Sequence, residues 1–264
     1  MASRLATGVA GVAPPRVFPL PGFASLLFLS PGAFSMTTLL IATRNRHKVA
    51  EIRAVLGGGF AYLTLADFPA APAVLEDADT FAGNATKKAV ALAAWLTSAA
   101  GAPQPVVVDA SFVLADDSGL EVDALDGAPG VHSARFATAD TGQPGNASDA
   151  DNNAKLLCLL RDVLAEKRTA RFRCVIALTP VRPLRSAPPV ALENELRQAT
   201  ELFLGVCPGR IGFEPRGDKG FGYDPLFVPD GYECTLAELG EAVKNQISHR
   251  AHALAKLKQR LRRP

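Results

Sequence analysis

Two adjacent aspartates, Asp116 and Asp117, close the apolar run Phe112-Val113-Leu114-Ala115 and precede Ser118-Gly119. Two carboxylates at the end of a buried strand repel each other and resist desolvation. A divalent cation removes that difficulty: Mg2+ takes one or two carboxylates together with phosphate oxygens and water. A carboxylate in that sphere also orients or deprotonates an attacking water. Without a cation, Asp-Asp-Ser-Gly is only a turn.

Three further stretches carry groups of complementary chemistry. Thr43-Arg44-Asn45-Arg46-His47-Lys48 crowds four potential cations between a strand and a helix. A helix N-terminus is already positive, so cations there make sense opposite an anion such as a phosphate; the plain alternative is a solvated basic loop. In Arg216 to Phe227, RGDKGFGYDPLF, small residues flank Phe221 and Tyr223. Glycines such as Gly222 let backbone approach a ligand, an aromatic ring stacks on a base, and Asp224 accepts hydrogen bonds. The alternative is a loop whose rings fold into the core. Finally, Lys244 closes one helix while His249 and Arg250 open the next, aimed where an anion or carbonyl would bind. Together the four supply a phosphate clamp, a metal carboxylate, a stacking ring and base-edge donors, the parts of a nucleoside triphosphate site.

Elements must hold these groups. Leu39 to Ala42 reads as a buried strand, and His47 to Leu56 as a helix stopped by Gly57-Gly58-Gly59. A second helix runs from Thr80 to Leu96, with Asn84 and Lys88 four apart on one face. Val106 to Val108 and Phe112 to Ala115 are strand-like, and Asp149 to Leu164 is an amphipathic helix. Arg171 to Thr179 alternates, and a Pro-rich loop leads to a second run at Leu196 to Val206, which predicts a hairpin. Thr235 and Glu238 form a capping-box pattern, and Ser248 caps the last helix. Strands and helices mix without strict alternation, so a mixed sheet is expected.

Composition limits the function. A net charge of +2 speaks against a nucleic-acid binder, and the apolar run Phe23 to Ser30 is too short to span a bilayer. The charge-poor first residues, 1–36, read as a flexible N-terminal extension, with Met36 as the expected functional start, ahead of a single domain at 37–264. Cys158, Cys174, Cys207 and Cys234 form no C-x-x-C pair, which fits reduced thiols in the cytoplasm.

The stretches ADDSGLEVDALDGAPGVHSARF, GFGYDPLF and SHRAHAL, taken together, are specific. Through them the chain, from Thr38 to about Leu261, resembles the inosine triphosphate pyrophosphatase family, the bacterial XTP/dITP diphosphatases in particular. The resemblance implies an elongated mixed α/β fold with an active-site cleft between two lobes, usually in a homodimer. It implies Mg2+-dependent hydrolysis of non-standard purine triphosphates (dITP, ITP, XTP) to the monophosphate and pyrophosphate. Asp117 would be general base and metal ligand, and Asp116 would support the metal or the charge balance. Thr43, Arg44, Asn45, Arg46, His47 and above all Lys48 would hold the triphosphate, bordered by Asn84 and Lys88. Ser118 would contact substrate. Phe221, Gly222, Tyr223 and Asp224 would grip base and sugar, and Lys244, His249 and Arg250 would complete the base pocket. Two rival readings are a Maf-type pyrophosphatase acting on pyrimidine nucleotides and a non-catalytic nucleotide-binding module. The second draws on one departure: many members carry a metal-binding glutamate where this chain has Gly83. A surface insertion is expected at PQPVVVDASFV.

Overall fold

The computed structural model describes residues 36–98, 111–139, 145–181 and 189–262. Apart from Met36, the expected N-terminal extension lies outside these residues. So do the strand expected at 106–108 and most of the expected insertion.

Six strands form one mixed sheet in the order β2-β1-β3-β4-β5-β6. They are β1 (Thr38–Ile41), β2 (Ala61–Thr64), β3 (Ser111–Val122), β4 (Thr169–Pro180), β5 (Glu201–Ile211) and β6 (Phe227–Pro229). β1 pairs in parallel with β2 and β3, and every later pairing is antiparallel. The helices are α1 (Arg46–Leu56), α2 (Phe81–Thr97), α3 (Asp149–Leu159), α4 (Pro189–Gln198), α5 (Leu236–Ile247) and α6 (His249–Leu261).

Period-two alternation divides β3 and β4 between two cores. Val113, Ala115, Val175 and Ala177 pack with Ala85, Ala89 and Leu92 of α2. Leu114, Cys174, Ile176 and Leu178 pack with Ile52 of α1 and with Ala253, Leu254 and Leu257 of α6. A third cluster joins Leu120, Phe172 and Phe227 to Leu156 of α3. Burial of such apolar surface, at about 25 cal/mol per Å², is what holds α1, α2 and α6 on the sheet.

The helix starts are fixed locally. Asn45 Oδ1 accepts the N–H groups of His47 and Lys48 at the start of α1. Thr80 caps α2, Ser248 caps α6, and Thr235 with Glu238 forms the expected capping box on α5. Gly205 on β5 is required by packing. A Cβ there would lie 1.9 Å from the His249 carbonyl oxygen and 2.5 Å from the Ala253 nitrogen. Its absence lets the first turn of α6, with His249 and Arg250, rest directly on the sheet.

The structure corrects four expectations. β3 does not end at Asp116; it runs on to Val122, because Asp116 to Val122 keep pairing with β4. Asp-Asp-Ser-Gly is therefore mid-strand and not a turn. α3 stops at Leu159 rather than Leu164, where a turn leads to a short 3-10 segment at Ala165–Lys167. β4 and β5 are antiparallel neighbours, yet their connection contains α4, so Leu196 is a buried helix residue and β5 starts at Glu201. Pro189 at the head of α4 begins a helix as readily as it marks a loop, and a loop reading of the proline run overlooks that.

Candidate active site

Strand alternation sends the two adjacent carboxylates to opposite faces of β3. Asp116, 2 % exposed, points toward α1 and α6. Arg250 Nε donates to its Oδ2 at 3.0 Å and Lys48 Nζ pairs with its Oδ1. Ser118 Oγ donates to Oδ1 at 3.1 Å, and the Cys174 thiol to Oδ2 at 3.0 Å. Burial alone would raise this carboxyl, but Arg250 and then Lys48 outweigh it and hold Asp116 well below the usual carboxylate range.

Asp117, 6 % exposed, points toward α2. Lys88 Nζ meets its Oδ1 at 3.0 Å and Asn84 Nδ2 its Oδ2 at 3.3 Å. Glu76 shares a hydrogen bond with Asp117 and lies 3.2 Å from Lys88 Nζ. Burial pushes Asp117 up to about 6 against the pull of Lys88 and Lys48, and the neighbouring Glu76 charge adds to the rise. Glu76 itself is lowered: burial opposes its ionisation, and Lys88 overcomes that. Below about pH 6 a proton therefore resides on Asp117, the member of the carboxylate pair that burial and the Glu76 charge raise.

On the Asp116 side the cations form a buried chain. Arg250 is 1 % exposed and Lys244 2 % exposed. Glu51 of α1 links them, pairing with Arg250 Nη1 and with Lys244 Nζ at 2.8 Å. Lys244 also holds Asp224 Oδ2 at 2.5 Å, and Arg250 Nη2 donates to Ser118 Oγ at 2.8 Å. Arg250 pulls Glu51 down despite its burial, Lys244 adding to that pull, while burial leaves Asp224 raised.

Ser118, Asp224, Lys244 and Arg250 wall a cavity of ≈ 180 Å³. Asn45, Lys48, Ser118, Lys244, His249 and Arg250 line one side, and Phe172, Phe221 and Tyr223 supply rings. His249 stacks on Phe172 with centroids 4.8 Å apart. Its Nδ1 is buried without a partner, and burial, reinforced by Arg250 and Lys244, holds the ring neutral. Phe221 lies 4.2 Å from Lys244 Nζ and stacks on His47 at 5.3 Å.

The expected residues therefore fall into distinct positions. Lys48, Ser118, Phe221, Lys244, His249 and Arg250 converge on the cavity, and Asp117 sits across the strand beside Lys88 and Asn84. Asn45 is spent on capping, and Thr43 Oγ1 accepts the Asn45 N–H at 3.2 Å. Arg44 and Arg46 are exposed, and the His47 ring lies against Phe221. Tyr223 is buried, its hydroxyl donating to the Ser133 carbonyl at 2.8 Å. Both backbone polar groups of Gly222 are taken by α3. Donors from four side chains, Lys48, Ser118, Cys174 and Arg250, meet the two oxygens of Asp116. Two functional residues escaped the sequence. Glu51 sits three residues from Lys48, a helical spacing that could have revealed it. Glu76 lies in an irregular segment with no periodic signal. It places a second carboxylate beside Asp117. A Cβ at Gly83 would meet Ala78 Cβ at 2.7 Å, so a side chain has no room there.

Fold and site define an α/β protein with a cation-walled cavity beside a carboxylate pair. A model of the Ham1 family matches residues 39–260. The chain belongs to that family. It is 48% identical to the dITP/XTP pyrophosphatase of Geobacter sulfurreducens over 86% of this chain and 97% of the relative. It is 42% identical to the enzyme of that name from Shouchella clausii, over 85% and 96%. Among solved structures, a HAM1 protein from Coxiella burnetii matches with a TM-score of 0.66 and 35% identity, covering 86% of this chain and 98% of that one.

Proposed function

We propose that this chain hydrolyses the non-standard purine nucleoside triphosphates dITP, ITP and XTP to the monophosphate and pyrophosphate. One observation carries the mechanism: a buried acid whose carboxyl is raised to about 6 faces a second carboxylate and lysine, one strand width from the cation-lined cavity. The family's activity agrees with it.

Mg2+ is proposed as the cofactor, and Asp117 and Glu76 fit it. They are two adjoining carboxylates that share a single lysine, and the raised Asp117 carboxyl marks unrelieved negative charge, while Mg2+ asks for one or two such ligands. Bound there, it would supply Lewis-acid neutralisation of phosphate charge. Asp117, once ionised, accepts the proton of the attacking water and aims it at the α-phosphorus. Lys88, Lys48 and the N-terminal turn of α1 oppose the charge of the pyrophosphate leaving group, the dominant need in phosphoryl transfer. Asp116 holds Lys48 and Arg250 in place.

The base would lie along Phe221. Neutral His249, with its unpartnered Nδ1 and one ring face covered by Phe172, offers a donor to a 6-oxo group. Adenine presents a 6-amino donor there, and leaving buried donors unpaired costs about 1–3 kcal/mol.

The active unit is proposed to be a homodimer. Leu202, Leu204 and Val206 form an exposed apolar stripe on β5, which is the kind of surface a second copy covers. A cytoplasmic location is proposed from the four free cysteines. Among the described residues no helix is long and apolar enough to cross a membrane.

Pyrophosphate release with Mg2+ tests the function. ITP, dITP and XTP should yield pyrophosphate, while ATP, dTTP and UTP should give little. Orthophosphate as the first product, or preference for dTTP and UTP, would overturn the proposal.

A further inference from the structure

The loop that carries Phe221 is gripped from outside by one helix. Gly222 has φ +63°, in the left-handed region, and both its backbone polar groups are held by α3. Its N–H donates to Asp149 Oδ2 at 2.7 Å, and its carbonyl accepts from Asn153 Nδ2 at 3.0 Å. Asp149 and Asn153 lie four residues apart, so they share a helix face. Ser148 fixes the turn beneath them by accepting the Asp151 N–H. From the other side the Phe221 N–H donates to Asp224 Oδ2 at 2.9 Å. Gly220, at φ +80°, has no room for a side chain because a Cβ would lie 2.2 Å from the same oxygen. The backbone that carries the Phe221 ring cannot leave the cavity without breaking bonds on both flanks.

We propose that Asp149 and Asn153 are positioning residues for base binding: α3 holds the Gly222 peptide and through it sets the place of the Phe221 ring. The proposal rests on the reading of Phe221 as the stacking ring. Lost grip frees the loop in the unliganded protein. The cost is paid when substrate binds, so it appears in KM and not in the chemical step.

Steady-state kinetics with ITP and Mg2+ test this on Asp149→Ala and Asn153→Ala, each made in the native chain and in Phe221→Ala. Asp149→Asn, which keeps an acceptor, is the conservative control. A charge-assisted or well-aligned hydrogen bond predicts a rise in KM of about tenfold in each single variant, with kcat within about twofold. Asp149→Asn should recover most of the loss. In the Phe221→Ala background the same substitutions should change KM by less than about twofold, since coupled residues do not add. A merely structural role would lower kcat and thermal stability together and would persist without the ring. Unchanged KM in the single variants, or an undiminished rise in the Phe221→Ala background, overturns the grip. Should Phe221→Ala itself leave KM unchanged, the stacking reading fails, and the proposal fails with it. Should Phe221→Ala raise KM while both α3 variants do not, only the grip fails.

Discussion

Asp116 and Asp117 are neighbours with the same side chain and nearly the same burial, yet their ionisation differs in opposite directions. Strand alternation gives each a different face of β3. On the α1 and α6 face, Asp116 meets a guanidinium, an ammonium, a hydroxyl and a thiol, and it stays ionised well below the usual range. On the α2 face, Asp117 shares one lysine with Glu76, and burial wins, lifting it to about 6. One acid is a satisfied structural anchor. The other is held in a poorly compensated state that a cation or a water proton can relieve. A single step along the chain separates a carboxylate that its donors satisfy from one that burial raises, and it does so without any break in the strand.

Substitution of each acid by its amide should pull that comparison apart. The largest effect is expected from Asp117→Asn, which should lower kcat by about 10²–10⁴-fold, the usual worth of a general base, while leaving the fold intact. Its stability effect has the opposite sign. Because the folded pKa of about 6 lies above the ordinary aspartate value of 3.8, Asp117 favours the folded state below about 3.8 and loses that contribution as pH rises through about 6. The Asn variant should therefore melt at a higher temperature than the native chain at pH 8. Asp116→Asn should do the reverse. Stranding Arg250 and Lys48 in the interior costs about 3–5 kcal/mol, read as a lower urea midpoint at pH 8. The stability that Asp116 gives is present at neutral pH and lost only in acid below the usual carboxylate range.

A smaller effect should follow from Glu76→Gln. Calorimetric titration with Mg2+ should show affinity reduced about tenfold, with no change in Arg250-side stability. Smaller still is the acid limb of the pH profile. As pH falls below about 6, the calorimetric Mg2+ affinity of the metal-free protein should decline by up to about tenfold per unit, since Asp117 must give up its proton to bind the cation. In Glu76→Gln the limb should move to lower pH, because a neighbouring negative charge has been removed.

The mixed sheet, α1, α2, α6 and the caps at Thr235 and Ser248 were legible because period and capping chemistry act locally. Asn84 and Lys88 shared a predicted face, and in the fold both reach Asp117. What escaped depended on pairing partners that are distant in sequence. Nothing in Phe112 to Gly119 states that β4 will continue the ladder past Asp116, so two acids looked like a strand end. Repulsion between them argues for one shared cation, whereas Arg250, 134 residues away, and Lys48 neutralise Asp116. Glu51 pairs with Arg250, 199 residues away. Glu76 lies in a segment without secondary structure, so only the folded chain brings it to Asp117.

The two-faced strand is tested most directly by following the side-chain carboxyl carbons by NMR, with 13C-aspartate labelling and Asn variants for assignment, from pH 3 to pH 8 without metal. Asp117 should titrate near 6, and Asp116 should stay ionised through the usual carboxylate range. Two resonances titrating together near the ordinary aspartate value would contradict the division of roles on which the account stands.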